Sequence, residues 1–215
     1  MVARAEKCVK EGGILARSNS QQFRRAIISV MPVVVSLLRA VNVGGHAVIK
    51  MADLKALYDS LKFRDVRTYV QSGNVVFRSD SGDLKALSKK IQMAIEKRFK
   101  VTPGVLLRTA DELRGIVAAN PFAKRADVLP AKLLVYFLHE ELSRDAATEL
   151  KKLPPKGEEL IPAKRELYIY FPDGMGKSRL PWCVVEKLCI TPGTGRNWNT
   201  VTKLLAMAEE LESSK

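Results

Sequence analysis

Cationic, amide and glycine residues occur together at points where predicted strands begin or end. Arg39 closes an apolar run ahead of a glycine-containing loop, and a Gly-Asn pair marks a turn between two later strands. Glycine lets a ligand approach backbone N–H groups, while positive side chains and amides suit an anion or a polar base edge. The candidate ligand-binding residues are Arg39, Asn42, Gly44, Gly45, His46, Gln71, Ser72, Asn74 and Lys100. The competing interpretation is that the asparagines and the serine only complete turns.

A glycine-rich segment in the C-terminal half has a partial likeness to a phosphate-binding loop. It reads DGMGKS at residues 173–178, but the position five residues before Gly176 is Phe171, where such a loop requires glycine. The segment is therefore predicted to be a turn. Lys177 is retained as a secondary candidate, because a cation at a helix start can attract an anion.

The segment before the last predicted helix supplies the other secondary candidates, Arg196, Asn197 and Trp198. Asparagine is a favoured N-cap residue, so Asn197 can begin this helix. We predict that Trp198 packs the helix against the core.

Catalytic and metal-binding patterns are weak. The chain has no Gly-x-Ser-x-Gly motif and no assignable triad, and His46 is a lone loop histidine. Cys8, Cys183 and Cys189 are too few and too scattered for a disulfide framework, and neither they nor His139 have zinc-ligand spacing. No catalytic residue, metal site or cofactor is therefore predicted. The sparse cysteines favour a cytoplasmic location.

Hydrophobic periodicity predicts the elements that position these residues. In the first half the order is strand, helix, strand, strand, helix, strand, which is the order of the ferredoxin-like split βαβ fold. The predicted strands are 33–38, 66–71, 75–77 and 105–108, and the predicted helices are 51–61, 84–99 and 111–119. In this fold the first and second strands run parallel with the third between them. The loop after Arg39 and the turn at residues 71–74 should therefore meet at one end of the sheet.

The second half starts with the same order, with strands predicted at 133–138, 158–161 and 167–171 and helices at 143–152 and about 180–188. We predict an α+β fold of two ferredoxin-like lobes with antiparallel or mixed sheets. The lobes are expected at 31–119 and 132–215, joined by a connector at 120–131, with a last helix from about Thr200 to Glu212. Tyr168 and Tyr170 project from one face of a strand, where they either pack between the lobes or stack bases.

Residues 1–30 do not conform to this pattern. They are basic and lack a hydrophobic period, so we expect a disordered extension ahead of a fold that begins near Met31. Arg24 and Arg25 precede an apolar run in the manner of a secretion signal. Pro32 interrupts that run, and it is too short to span a bilayer. No membrane partner is therefore predicted.

The net charge limits the partners. Lys and Arg number 36 against 23 Asp and Glu, a formal charge of +13, which favours nucleic acid or a phosphorylated small molecule. The first hypothesis is a non-catalytic binding module for an anionic ligand, either nucleic acid or nucleotide-like. The alternative is an enzyme acting on a small phosphorylated or acidic substrate at the sheet end formed by Arg39, Asn42, Gln71 and Asn74. A deep pocket with a perturbed group would favour the enzyme, and an open basic face would favour nucleic acid.

Four segments carry a family resemblance. They are LLRAVNVGG at 37–45, RTYVQSGNVVF at 67–77, NPF at 120–122 and RNWNTV at 196–201. Together they resemble the bacterial family known as domain of unknown function 1697, over about residues 31–211. Ala40 departs from the glycine expected there. The resemblance implies a cytoplasmic bacterial α+β protein and implies no activity.

Overall fold

The computed structural model describes residues 31–42, 48–155 and 157–214. The predicted extension at 1–30 and the candidate residues Gly44, Gly45 and His46 lie outside the described residues.

The first half of the fold is an antiparallel sheet with three helices. Its elements are β1 (Val33–Arg39), α1 (Met51–Ser60), β2 (Arg64–Tyr69), β3 (Asn74–Arg78), α2 (Leu84–Phe99), β4 (Gly104–Thr109) and α3 (Ala110–Ala118). The strand order is β2-β3-β1-β4, and each neighbouring pair is antiparallel. Strands β1 and β2 are therefore parallel with β3 between them, as the sequence predicted.

The second half has the same order of strands and α-helices as the first. Its elements are β5 (Leu133–Phe137), α4 (Arg144–Leu150), β6 (Glu159–Pro162), β7 (Glu166–Tyr170), α5 (Trp182–Leu188), β8 (Thr194–Asn197) and α6 (Trp198–Ser213). The strand order is β6-β7-β5-β8, again antiparallel throughout. The described chain is thus an α+β fold of two four-stranded antiparallel sheets and six α-helices. This confirms the predicted α+β class and the antiparallel form of its sheets.

Local sequence explains where the main helices begin. The Asp83 carboxylate caps α2 by accepting hydrogen bonds from the backbone N–H groups of Lys85 and Ala86. Helix α3 begins with a capping box, in which Thr109 and Glu112 bond reciprocally to each other's backbone N–H.

Three apolar clusters form the core. The first sheet buries one face against α1 and α2, and the second sheet buries one face against α4 and α5. The other faces of both sheets share a central cluster with α3 and α6. Tyr168 and Tyr170 are buried in this central cluster, and their hydroxyls donate to the carbonyls of Ile116 and Asp127. The tyrosines therefore pack in the core and do not present rings for base stacking.

Three details differ from the sequence prediction. Strand β8 was missed, because its four residues lack an apolar alternation. Helix α6 begins at Trp198, two residues earlier than predicted. Asn74 is fully buried as the first residue of β3 and is not part of the turn, which occupies residues 70–73.

Candidate functional site

Arg196 is one of two buried arginines that connect the two halves of the fold. It lies on β8, only 7% exposed, and its guanidinium reaches the ends of β1 and β3 in the other half. Its Nε donates to Asn74 Oδ1. Its Nη1 donates to Thr194 Oγ1 and to Gly195 O, both at 2.8 Å. Its Nη2 donates to Leu38 O at 2.8 Å and to Ser72 O at 2.9 Å. All five N–H groups of the guanidinium are therefore bonded.

Arg108 makes the reciprocal connection from β4 into the second half. It is 1% exposed. Its acceptors are Glu166 Oε1 at 3.2 and 3.3 Å, Leu107 O at 3.0 Å, Leu138 O at 2.8 Å and Arg165 O at 3.2 Å. Each half of the fold thus sends one buried arginine into the other.

The two arginines occupy equivalent positions. Arg108 lies opposite Val35 of β1, and Arg196 lies opposite Val135 of β5. Each is also followed directly by the N-cap residue of a long central helix, Thr109 for α3 and Asn197 for α6. The two halves are therefore related at this point by an approximate internal two-fold, although the sequence shows no clear repeat.

The equivalence fails at one residue. Asn74 lies opposite Leu37 in the first half, where Glu166 lies opposite Phe137 in the second. Arg108 consequently has a carboxylate partner, whereas Arg196 has a neutral amide at the same place.

The two environments shift the pKa values of the guanidinium groups through different neighbours. Burial lowers the pKa of Arg196 to about 10, with no charged neighbour among its causes. Burial also lowers the pKa of Arg108, together with Arg165, while Glu166 opposes the shift. Arg196 remains protonated at neutral pH, so it is a buried cation without a counter-charge from the described residues.

A cavity of about 300 Å³ adjoins Arg196, and we call it the seam cavity. Its polar lining is Ser72, Lys132, Arg196, Asn197 and Thr200, and its apolar lining includes Leu133, Leu134, Phe171 and Met175. The N-terminus of α6 lies at this cavity, where Asn197 Oδ1 accepts from the Thr200 N–H at 2.9 Å. Lys132 is half-buried and donates to the carbonyl of Pro172.

Some of the predicted sheet-end residues do meet. Asn42 Nδ2 donates to the carbonyl of Gln71 at 2.7 Å and to that of Ile49 at 3.0 Å, and Asn42 Oδ1 accepts from the Ile49 N–H at 2.8 Å. This joins the loop after β1 to the β2–β3 turn. Asn74 Nδ2 in turn donates to Tyr69 O and to Ser72 Oγ, both at 3.0 Å.

Arg39, the cation of that sheet end, has a carboxylate partner. Its Nη2 lies 2.9 Å from Glu186 Oε1, which also accepts from the Tyr136 hydroxyl at 3.1 Å. Burial, followed by the charge of Glu186, raises the pKa of Tyr136. Because Glu186 neutralises Arg39, this end of the sheet attracts an anion less than the sequence implied.

The remaining candidates separate. Lys100 is the exposed, left-handed C-cap of α2, and its backbone N–H donates to Glu96 O. Lys177 is exposed beside a neighbouring depression of about 340 Å³. Trp198 is partly buried against the central cluster, as predicted. Ser72, Arg196 and Asn197 are therefore the predicted residues that share a cavity.

Sequence reasoning missed Lys132 and the contact between Arg196 and Asn74. Lys132 lies two residues after Pro130, in a segment without periodicity. The available signal was an arginine directly before a helix N-cap, which occurs at both Arg108 and Arg196.

Fold and site together define an α+β protein in which two antiparallel sheets share central helices and are tied by reciprocal buried arginines. Residues 31–168 match the family described as Protein of unknown function (DUF1697), and the chain belongs to this family. The family resemblance drawn from the sequence is thereby confirmed.

One similar solved structure is that of the conserved bacterial protein SP0830 from Streptococcus pneumoniae. It has a TM-score of 0.66 and 22% sequence identity, covering 83% of this chain and 99% of that one. At this identity the similarity shows a shared fold. No curated protein matches the chain. Among the helices of the described residues, none has the length and apolar content to cross a membrane.

Proposed function

We propose that this protein is a non-catalytic binding protein for a small anionic, nucleotide-like ligand, which occupies the seam cavity. The observation that carries the proposal is the missing counter-charge of Arg196, at the position where Arg108 has Glu166. We also infer that each half is a ferredoxin-like lobe, because both sheets follow the split βαβ order.

The physical reason is the cost of a buried charge. An ionised group removed from water is destabilising unless an opposite charge lies nearby. Arg108 meets this condition within the chain, whereas Arg196 does not. An anion in the adjoining cavity would supply the missing charge.

Arg196 would act through its electric field, since its five N–H groups are already bonded. Direct contacts would come from Lys132, from the N–H groups in the first turn of α6, and from the Ser72 hydroxyl. The Ser72 oxygen already accepts from Asn74 Nδ2, so its hydrogen remains available for donation to a ligand.

The size and lining of the seam cavity limit the ligand. A volume of about 300 Å³ is at the lower end of small-molecule sites. Leu134, Phe171 and Met175 provide an apolar wall opposite the cationic groups. The cavity therefore suits a phosphate or carboxylate carried on a small organic group.

Binding without catalysis is favoured over the enzyme alternative. The seam cavity is lined by no histidine, cysteine, aspartate or glutamate of the described residues, so general acid–base chemistry has no evident agent there. At the sheet end proposed for the enzyme, Arg39 is paired with Glu186, and Asn42 and Asn74 are engaged by backbone.

Isothermal titration with inorganic phosphate, AMP and a short alkyl phosphate would test the proposal, together with mass spectrometry of ligands that co-purify with the native protein. Lys132→Ala should lower the affinity for the phosphate-bearing ligand at least tenfold. Lys177→Ala removes an equal charge from the neighbouring depression and should leave the affinity unchanged. Equal affinities in both variants, or binding by none of the three probes, would overturn the proposal.

A further inference from the structure

A second basic surface lies on α2, away from the seam cavity. Six cations belong to this helix and its C-cap: Lys85, Lys89, Lys90, Lys97, Arg98 and Lys100. All six are exposed, and none forms an ion pair with a carboxylate of the described residues. Glu96 is the single acidic residue within the helix. The positive charge of α2 is therefore not neutralised by the described residues and is available to an anionic partner.

A cleft of about 560 Å³ runs beside this helix, and we call it the basic cleft. Lys85, Ser88, Lys89 and Gln92 of α2 form one wall, and β4 forms the floor. The second half of the fold supplies the opposite wall through His139, Glu140 and Arg165. Lys85 and Lys89 are the unpaired cations of the cleft, since Arg165 is paired with Glu112 and Arg108 with Glu166.

The floor of the basic cleft is the free edge of β4, and two carbonyl groups on this edge already accept hydrogen bonds from side chains. The Val105 carbonyl accepts from Ser88 Oγ at 2.6 Å, and the Leu107 carbonyl accepts from Arg108 Nη1 at 3.0 Å. A peptide that added to β4 as a further strand would have to displace both bonds. The N–H groups of the same two residues face the cleft as donors, because N–H and C=O of one residue point to the same side of an antiparallel strand.

A membrane surface fits α2 less well. The apolar residues Leu87, Ile91 and Ile95 are buried in the core and cannot enter a lipid interface. Met93, at 61% exposed, is the large apolar side chain that α2 presents to solvent. The exposed surface of α2 therefore offers positive charge without an apolar face, which suits a polyanion.

We propose that the basic cleft binds the sugar–phosphate backbone of a nucleic acid. Lys85 and Lys89 contact phosphates, and the remaining cations of α2 lie outside the cleft and add only long-range attraction. No phenylalanine, tyrosine or tryptophan side chain lines the cleft, and His139 is its single ring, so contacts to the backbone dominate and recognition is largely independent of sequence. This site is independent of the seam cavity and of any ligand bound there.

Fluorescence anisotropy with labelled 20-nucleotide single-stranded DNA, single-stranded RNA and duplex DNA tests the proposal at 50 and 200 mM salt. Each phosphate contact adds about 0.9 to the salt slope on duplex DNA. The double variant Lys85→Ala/Lys89→Ala should therefore have a salt slope that is smaller by about 2. Raising the salt from 50 to 200 mM should then weaken its binding about tenfold less than it weakens the binding of the unaltered protein.

Lys187→Ala/Lys203→Ala is the matched control, because it removes two exposed, unpaired lysines from α5 and α6. It should leave the slope unchanged if the cleft is the site. An equal reduction in both double variants would show only a diffuse charge effect and would overturn the proposal. Absence of binding at 50 mM salt by all three nucleic acids would also overturn it, as would binding only to anionic phosphatidylserine vesicles. Comparison of the three nucleic acids identifies the preferred form of the backbone.

Discussion

Arg196 and Asn74 are 122 residues apart in the chain, yet the guanidinium of one donates to the buried amide oxygen of the other. At the equivalent place in the second half, Arg108 meets Glu166. One interface thus contains a compensated and an uncompensated buried arginine, and the difference leads to the first two predictions.

Asn74→Asp should give Arg196 the carboxylate that it lacks. We expect this variant to bind the phosphate-bearing ligand of the seam cavity at least tenfold more weakly, because the counter-charge is already present. The Arg196 guanidinium should lower the pKa of the new carboxyl group more than the Tyr69 carbonyl, which loses its donor, raises it. Its stabilising contribution should be present above the unfolded value of about 3.9 and lost as the pH falls below it.

Titration calorimetry and urea unfolding from pH 3 to 7 would check both parts. Asn120→Asp is the control, since Asn120 Oδ1 accepts from the Phe122 N–H and has no arginine partner. If the stability of Asn74→Asp relative to the unaltered protein did not rise with pH more than that of the control, the assigned role of Arg196 would be wrong.

Glu166→Gln should leave Arg108 as a buried guanidinium with a neutral amide partner, which is the situation of Arg196. The loss of free energy of unfolding should be about 3 kcal/mol, as for other buried pairs that lose one charge. Glu186→Gln removes the same charge from the Arg39 pair, whose side chains are 40% and 35% exposed, and should cost less than about 1 kcal/mol. Urea unfolding at pH 7 would measure both values. Equal losses would contradict the argument from burial.

Asn42→Ala should destabilise the fold by about 2 kcal/mol, because three hydrogen bonds to backbone are lost at a left-handed residue of φ 56°. Gln71→Ala should change stability by less than about 0.5 kcal/mol, since the exposed side chain is lost and the carbonyl that Asn42 uses remains. A Tm comparison would suffice. A larger effect of Gln71→Ala on ligand affinity than on Tm would instead support the sheet end as a ligand site.

Stability should decrease at alkaline pH through Cys189. Burial, followed by the charge of Glu186, raises the pKa of this thiol to about 11. The unfolded chain releases the proton near pH 8.5, so between about 8.5 and 11 the folded state binds more protons and stability falls as the pH rises. Urea unfolding at pH 8, 9 and 10 should show a smaller decline for Cys189→Ala than for the unaltered protein. Cys183→Ala, at an exposed cysteine, should retain the full decline.

Several parts of the fold followed from sequence because they depend on local pattern. The β-branched run at 33–38 predicted β1, and the apolar stripe from Leu84 to Phe99 predicted α2 within its observed bounds. Strand β8 could not be predicted this way, because Thr194–Asn197 has no alternating apolar residues and is held in the sheet by pairing with β5.

The candidate site depends more strongly on tertiary contacts. Sequence alone placed Ser72, Arg196 and Asn197 among polar residues suited to an anion, and it determined the family, the element order apart from strand β8, and the excess of positive charge. Only the packing of the two halves decided that Asn74 is buried, that Glu186 neutralises Arg39, and that Arg196 has an amide where Arg108 has a carboxylate. The reason is physical: the free energy of a charge depends on its burial and on the groups within a few ångströms. Those groups come from strands that are far apart in the chain.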